Sequence, residues 1–158
     1  MNKISKLSEV DKAYIGGFLD GDGSINAQIV RRKDYRLKFQ IRVTITFFQK
    51  SSRHWMVLWL KKKLQFGTIR KRNDGISEYI LVGPKDVEII LEHISPYLKI
   101  KRRQAVLALQ IIKNKLKSQD PNALLKSCEL VDRFELLNDS KKRTVTSAVV
   151  RSELGFSD

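Results

Sequence analysis

From Leu37 to Phe47 the chain alternates without a break: Leu37, Phe39, Ile41, Val43, Ile45 and Phe47 are apolar, and Lys38, Gln40, Arg42, Thr44 and Thr46 between them are polar. Successive side chains of a strand point to opposite faces, so this run specifies an antiparallel strand with one buried and one wet face. The preceding segment keeps the same period, with Ser24, Asn26, Gln28, Val30 and Arg32 on one side and Ile25, Ala27 and Ile29 on the other. Lys33 to Arg36 is the expected turn between them. A second hairpin is expected where Thr68, Arg70 and Arg72 lead into Asn73-Asp74-Gly75 and Glu78, Ile80 and Val82 leave on the same side, because Asp-Gly is a strong hairpin signal.

Helical periods fill the remaining stretches. Ser8 caps a helix over about 9–21 with Val10, Tyr14, Ile15, Phe18 and Leu19 as its apolar face. Ser51 or Ser52 caps another through about Leu64, with Trp55, Leu58 and Trp59 inward. Further helices are expected over about 85–94, 101–116 and 121–137, then a polar loop from Asn138 to Arg143 and a short last helix. The order predicts an α+β fold in which two hairpins pair into a four-stranded antiparallel sheet, covered by helices on its apolar face. With 158 residues, 42% of them hydrophobic, the chain suffices for one domain over 1–158, its core spanning about 8–117 and its C-terminal helices about 121–154.

Charge narrows the function. The net charge is +14, and the segment from Ser24 to Arg72 holds fourteen basic residues against Asp34 alone, a field that attracts polyanions. The wet sheet face carries side chains that read base edges: Arg for guanine, Asn or Gln for adenine, Glu for the cytosine amino group. A strand of about nine residues rises roughly 30 Å, matching about nine base pairs. One Cys (Cys128) and two scattered histidines (His54, His93) exclude a disulfide framework and a Cys/His zinc site. Residues 1–15 show neither a signal nor a transit pattern, and no apolar run approaches a membrane span. No membrane partner and no small-molecule organic cofactor are expected.

The first helix carries the chemistry. Ala13, Gly17 and Gly21 recur every fourth residue, stacking three small side chains on one side. Glycine in a helix costs up to roughly 1 kcal/mol relative to alanine, so Gly16, Gly17 and Gly21 together call for the close approach of another helix. Asp20 and Asp22 stand at the negative end of the helix dipole, where a cation would reverse their penalty. Two such helices packed through the stripe about a two-fold axis would bring two Asp22 carboxylates to one place, a donor set for a hard divalent ion. A calcium EF-hand loop from Asp20 fails, because Ile25 and Arg31 stand where Gly and Glu are needed.

The segment Ile15-Gly16-Gly17-Phe18-Leu19-Asp20-Gly21-Asp22-Gly23 closely resembles the LAGLIDADG signature. Gln49-Lys50, Arg53 to Trp55, Pro96 to Lys101 and Leu137 to Lys141 extend the likeness over nearly the whole chain, to the single-motif homing endonucleases of chloroplast group I introns in green algae. The resemblance implies the αββαββα fold of that family, a homodimer on double-stranded DNA, and hydrolysis across the minor groove leaving 5′-phosphates and short 3′ overhangs. It implies Mg²⁺ as cofactor, with Mn²⁺ substituting and Ca²⁺ binding without cleavage, and a chloroplast location. Asp22 and the Gly21 carbonyl would hold metal, with Gln49, Arg53 and Lys101 around the scissile phosphates. Ala13, Gly17, Asp20 and Gly21 would form the dimer interface, Asp20 in a supporting role. DNA contacts are expected from Ser24, Asn26, Gln28, Val30, Arg32, Tyr35, Lys38, Gln40, Arg42, Thr44, Thr46, Lys50, Arg70, Arg72, Glu78, Ile80, Lys141 and Arg143. An RNA maturase and a cleavage-inactive DNA-binding regulator remain the alternatives, and an extra residue near Asn73-Asp74 relative to that family unsettles the role of Glu78.

Overall fold

The computed structural model describes residues 3–115, 120–139 and 142–156. Helix α1 (Glu9–Asp22) begins where Ser8 Oγ accepts the Asp11 amide at 3.1 Å. Glu9 and Asp11 lie in its positive first turn, and Asp11 also receives Lys63 Nζ at 2.7 Å. The chain passes directly from α1 into β1 (Gly23–Arg31), turns, and returns as β2 (Phe39–Lys50). Helix α2 (His54–Leu64) leads to the second hairpin, β3 (Thr68–Lys71) and β4 (Ile76–Leu81). Helices α3 (Pro84–Ile94), α4 (Arg102–Lys115), α5 (Pro121–Asp132), α6 (Phe134–Leu137) and α7 (Ser147–Glu153) follow.

The two hairpins pair into one antiparallel sheet, as expected from the sequence, and the structure sets its order as β1-β2-β4-β3. Its register separates the faces. Ile25, Ile45 and Leu81 align on the covered face, while Ser24, Thr46, Ile80 and Thr68 align on the open one. Beneath the covered face, Phe18 of α1 packs on Phe47 with centroids 5.9 Å apart, and Phe47 stacks on Tyr79 at 5.9 Å. Helix α5 packs between α4 and α7 and reaches β1. Among the described residues, no helix is long and apolar enough to cross a membrane.

Several boundaries differ from the sequence reading. Strand β2 starts at Phe39 rather than Leu37, because Lys38 adopts a left-handed φ of 65° and closes the turn. Lys38 therefore leaves the wet strand row, its ammonium donating to the Lys33 carbonyl at 2.9 Å. Arg72 likewise lies beyond β3, in the turn where Gly75 takes a φ of 82°. No serine side chain caps α2: a 3₁₀ turn over Ser51–Arg53 precedes it, and Ser51 Oγ instead bonds Ser77 Oγ at 3.0 Å. The expected helix over 121–137 breaks at Arg133 into α5 and α6.

Two helical faces differ in part from the sequence expectation, although Ile15, Phe18 and Leu19 of α1 do turn inward. In α1 the buried residues are Ile15, Gly16 and Leu19, whereas Val10 and Tyr14 are 78% and 54% exposed. In α2 the buried residues are Met56, Val57, Leu60 and Leu64, whereas Trp55 and Leu58 are 64% and 52% exposed. Trp59 is half-buried, meeting Tyr14 edge-on at 5.6 Å. Both helices thus carry one apolar stripe inward and leave a second outside.

Candidate nucleic-acid interface and cleavage site

At the tip of α1 the two acids differ in circumstance. The Asp20 carboxylate accepts three consecutive amides, Lys99 at 2.8 Å, Ile100 at 3.2 Å and Lys101 at 3.0 Å, and so ties the segment before α4 to the end of α1. Burial works to raise its pKa, but those amides together with the Lys101 charge hold the carboxyl below its ordinary value. Lys101 Nζ donates to the Asp20 main-chain carbonyl at 2.6 Å, satisfying one of the acceptors a helix end leaves open. Asp22 is exposed and makes no side-chain hydrogen bond or ion pair among the described residues, and Gly21 beside it is also exposed. The next residue, Gly23, pairs with Phe47, so Asp22 stands near the end of β2 that carries Gln49. There Gln49 Oε1 accepts Arg53 Nε at 2.8 Å and the Lys50 amide at 3.1 Å. The fold thus brings Asp22, Gln49, Arg53 and Lys101 to one end of the sheet from three separate segments.

The open face runs away from this end. Asn26 lies opposite Thr44, Gln28 opposite Arg42 and Val30 opposite Gln40, so one continuous polar ribbon forms along β1 and β2. Lys50 is exposed at the end of β2, and Tyr35 is exposed at the tip of the first hairpin. Two of the expected DNA contacts, Glu78 on the sheet face and Arg143, expected on phosphate, are held within the chain. Glu78 is only 8% exposed and is held by Arg70 Nη2 at 3.4 Å and Arg72 Nη1 at 3.0 Å, so it orients the two arginines rather than standing free. Arg143 folds onto β1: it donates to the Ala27 carbonyl and, at 2.5 Å, to Asn26 Oδ1, which fixes Asn26. Beside it a cleft of about 260 Å³ opens between Asn26, Gln28 and the 142–145 segment. Lys141 lies outside the described residues.

Four residues to which the sequence assigns no site role also take part. Asp34 clamps Arg32 at 3.1 and 3.0 Å. Asn138 donates to the Ile25 carbonyl at 3.0 Å, docking the C-terminal segment on β1. His54 Nδ1 meets the fully buried Ser77 Oγ at 2.8 Å. Phe48 pairs with Glu78 on the open face. Only Asp34 had a readable signal, an acid two residues after an arginine in a hairpin turn. Cys128 is fully buried, and burial pushes its thiol up to about 12, which removes it as a nucleophile.

The small-residue stripe divides into two uses. A Cβ on Gly16 would lie 2.8 Å from Tyr97 Cβ, so that glycine lets the Ser95–Tyr97 turn rest on α1 within the same chain. A Cβ on Gly17 or Gly21 would meet nothing within 4 Å. Ala13, Gly17 and Gly21 therefore form an exposed groove on α1, which also carries the exposed Val10 and Tyr14.

The LAGLIDADG endonuclease family model matches residues 15–112. The DNA endonuclease I-CvuI of Chlorella vulgaris is 50% identical over 139 residues, covering 88% of this chain and 86% of that protein. The DNA endonuclease I-CreI of Chlamydomonas reinhardtii is 39% identical over 142 residues, covering 89% and 86%. A crystal structure of I-CvuI in complex with a DNA target in the presence of Mg superposes with a TM-score of 0.89 at 46% identity, over 95% of this chain and 98% of that one. A second I-CvuI complex, with its own target and Ca, gives 0.89 over 94% and 97%. By its motif, its sheet and these relatives, the chain belongs to the LAGLIDADG endonuclease family.

Proposed function

We propose that this chain is a site-specific double-strand DNA endonuclease, a homing endonuclease that acts as a homodimer with divalent metal ions at the paired tips of α1. The observation that carries the proposal is Asp22: an exposed, unengaged carboxylate at the end of a helix whose Gly17/Gly21 groove is open, beside Gln49, Arg53 and Lys101. Among the described residues, no three His, Cys, Asp or Glu side chains of one chain cluster as a metal site. One carboxylate is too few for a hard cation that takes six oxygens. Two-fold pairing through the groove supplies a second Asp22, with the Gly21 carbonyls, DNA phosphate and water completing the set. Bound there, a divalent ion lowers the pKa of water and stabilises the attacking and leaving oxygens.

The chain's own residues do the rest. Arg53 fixes the Gln49 side-chain oxygen, leaving the Gln49 amide nitrogen to orient a water. Lys101, anchored at the helix end through Asp20, keeps a positive charge near the phosphate, where negative charge grows in the transition state. The ribbon of Ser24, Asn26, Gln28, Val30, Gln40, Arg42, Thr44, Thr46, Arg70 and Ile80 faces the major groove. Two copies then cover a long pseudo-palindromic site and cut across the minor groove, leaving 5′-phosphates and short 3′ overhangs. Mg²⁺ serves as cofactor, Mn²⁺ substitutes, and Ca²⁺ supports binding alone. The reading extends to intron homing in a chloroplast, as the family resemblance implies, and the DNA endonuclease relatives from Chlorella and Chlamydomonas support an algal setting.

The test is cleavage of a plasmid library carrying randomised inserts, with and without Mg²⁺, by the wild type and Asp22→Asn. Linear product that requires Mg²⁺ and disappears in the variant, with duplex binding retained, supports the proposal. Binding without cutting by the wild type, or a variant that cuts normally, overturns it.

A further inference from the structure

At the tip of the first hairpin one arginine is held more tightly than base contact alone explains. Arg32 lies one residue beyond β1, its amide donating to the Lys38 carbonyl at 2.9 Å and its side chain reaching Gln40, which pairs with Val30 on the open face. Its Nε donates to Asp34 Oδ1 at 3.1 Å and its Nη2 to Asp34 Oδ2 at 3.0 Å, a side-on bidentate clamp. Its Nη1 donates to Gln40 Oε1 at 2.9 Å, and its guanidinium carbon lies 4.7 Å from the Tyr35 ring centroid. A guanidinium has five N–H donors. Three are spent here, leaving one on each terminal nitrogen of a plane fixed by Asp34, Gln40 and Tyr35.

We infer that Arg32 reads a guanine near the outer end of each half-site, and that Asp34 is the positioning residue that aims it. This rests on the DNA-cleaving reading above. Two parallel N–H donors match guanine O6 and N7 in the major groove, a contact with no equivalent at the other bases. A phosphate can be met by a mobile arginine and needs no such scaffold. The hydrogen bonds from Arg32 hold the Asp34 carboxyl below its ordinary pKa, so the clamp stays ionised at neutral pH. Arg32 also neutralises the one acid in a strongly basic segment, which otherwise would repel the DNA. The second hairpin repeats the device: Arg72 Nη2 donates to Asp74 at 2.5 Å, again two residues ahead in the turn. There Glu78 takes Arg72 Nη1 as well, whereas the corresponding partner of Arg32 is the neutral Gln40.

The strand sets the position. Arg32 is ten residues from Asp22, a rise of roughly 33 Å, or about nine to ten base-pair steps at 3.4 Å. The inferred guanine therefore lies that far from the centre of the site.

Selection of randomised 30-mer duplexes by equilibrium binding, with wild type, Arg32→Ala, Arg32→Lys and Asp34→Ala compared at two salt concentrations, tests this. The wild type should prefer guanine at one outer position by about 10- to 100-fold. Arg32→Ala should abolish that preference and leave the others intact. Arg32→Lys should also lose it while keeping the salt dependence, since an ammonium carries the charge without the fork. Asp34→Ala should reduce the preference about 3- to 10-fold, with thermal melting unchanged because the tip is exposed. If Arg32→Ala weakens every duplex equally and flattens the salt dependence, the arginine binds phosphate and the inference falls. An unchanged base preference in Arg32→Ala overturns it as well. A wild type that enriches no sequence, or cuts none, instead refutes the underlying DNA-cleaving reading.

Discussion

Gly16 and Gly17 are adjacent in sequence and receive the same added methyl on substitution by alanine, yet their surroundings demand opposite outcomes. At Gly16 the new Cβ would lie 2.8 Å from Tyr97 Cβ and 3.3 Å from the Tyr97 carbonyl oxygen. Neither atom is the end of a flexible side chain, so the Ser95–Tyr97 turn must shift. Overpacking of this kind costs about 1–3 kcal/mol, against a gain of up to about 1 kcal/mol from helix propensity. Because a 2.8 Å Cβ contact forces a backbone shift, the cost lies toward the upper end, and Gly16→Ala should destabilise the chain by about 1–2 kcal/mol, which at this size lowers Tm by roughly 2–8 °C. At Gly17 nothing lies within 4 Å, so alanine should leave the isolated chain as stable or slightly more so. In the proposed dimer, however, each copy would add a methyl to the contact. At about 1–3 kcal/mol per copy, dimerisation should weaken by about 30-fold or more, with 1.4 kcal/mol per tenfold. Guanidinium unfolding at nanomolar protein measures the first effect and sedimentation velocity across a concentration series the second. A Gly17→Ala variant that dimerises like the wild type would refute packing through this groove. A Gly16→Ala variant as stable as the wild type would refute the separation of the two glycines.

Asp20 gives a pH dependence. Its folded-state pKa lies below the ordinary 3.8, so the unfolded chain binds the proton more readily and folding is favoured above that range. Its contribution should be complete above about pH 4 and lost as the pH falls through the depressed folded value. Asp20→Asn should remove that part of the acid-side slope in urea unfolding measured from pH 2.5 to 6, and an unchanged slope would contradict it. Tyr79, fully buried, donates its hydroxyl to the Phe66 carbonyl, so Tyr79→Phe should cost about 1 kcal/mol. Equal chemical stability of the two would mean the carbonyl finds another donor.

Local rules left much of the molecule legible. The alternation through Phe47, the Asn73-Asp74-Gly75 turn and the Ser8 cap each follow from interactions among near neighbours, and each element formed there, with strand ends shifted by a residue or two at Lys38 and Arg72. Asp20 and Asp22 were recognisable as a pair at a helix end for the same reason. Their separate duties were not, because Asp20 is occupied by amides some eighty residues away. The inward face of α2 is legible in its own sequence: the Trp55 stripe runs into Lys62, while the Met56 stripe continues through Leu60 to Leu64.

What the order of residues determined by itself was periodicity, and with it a one-face-wet sheet, helices to cover it, and an acid-tipped, glycine-striped first helix. What only the tertiary structure decided was which of two apolar stripes turns inward on α1 and α2, which glycine serves Tyr97, and which polar side chains are already engaged, as Glu78, Arg32 and Arg143 are. The physical reason is range. A repeat reports how a segment divides apolar from polar, but the partner that satisfies each face comes from elsewhere in the chain or, for the groove at Gly17 and Gly21, from a second copy of it.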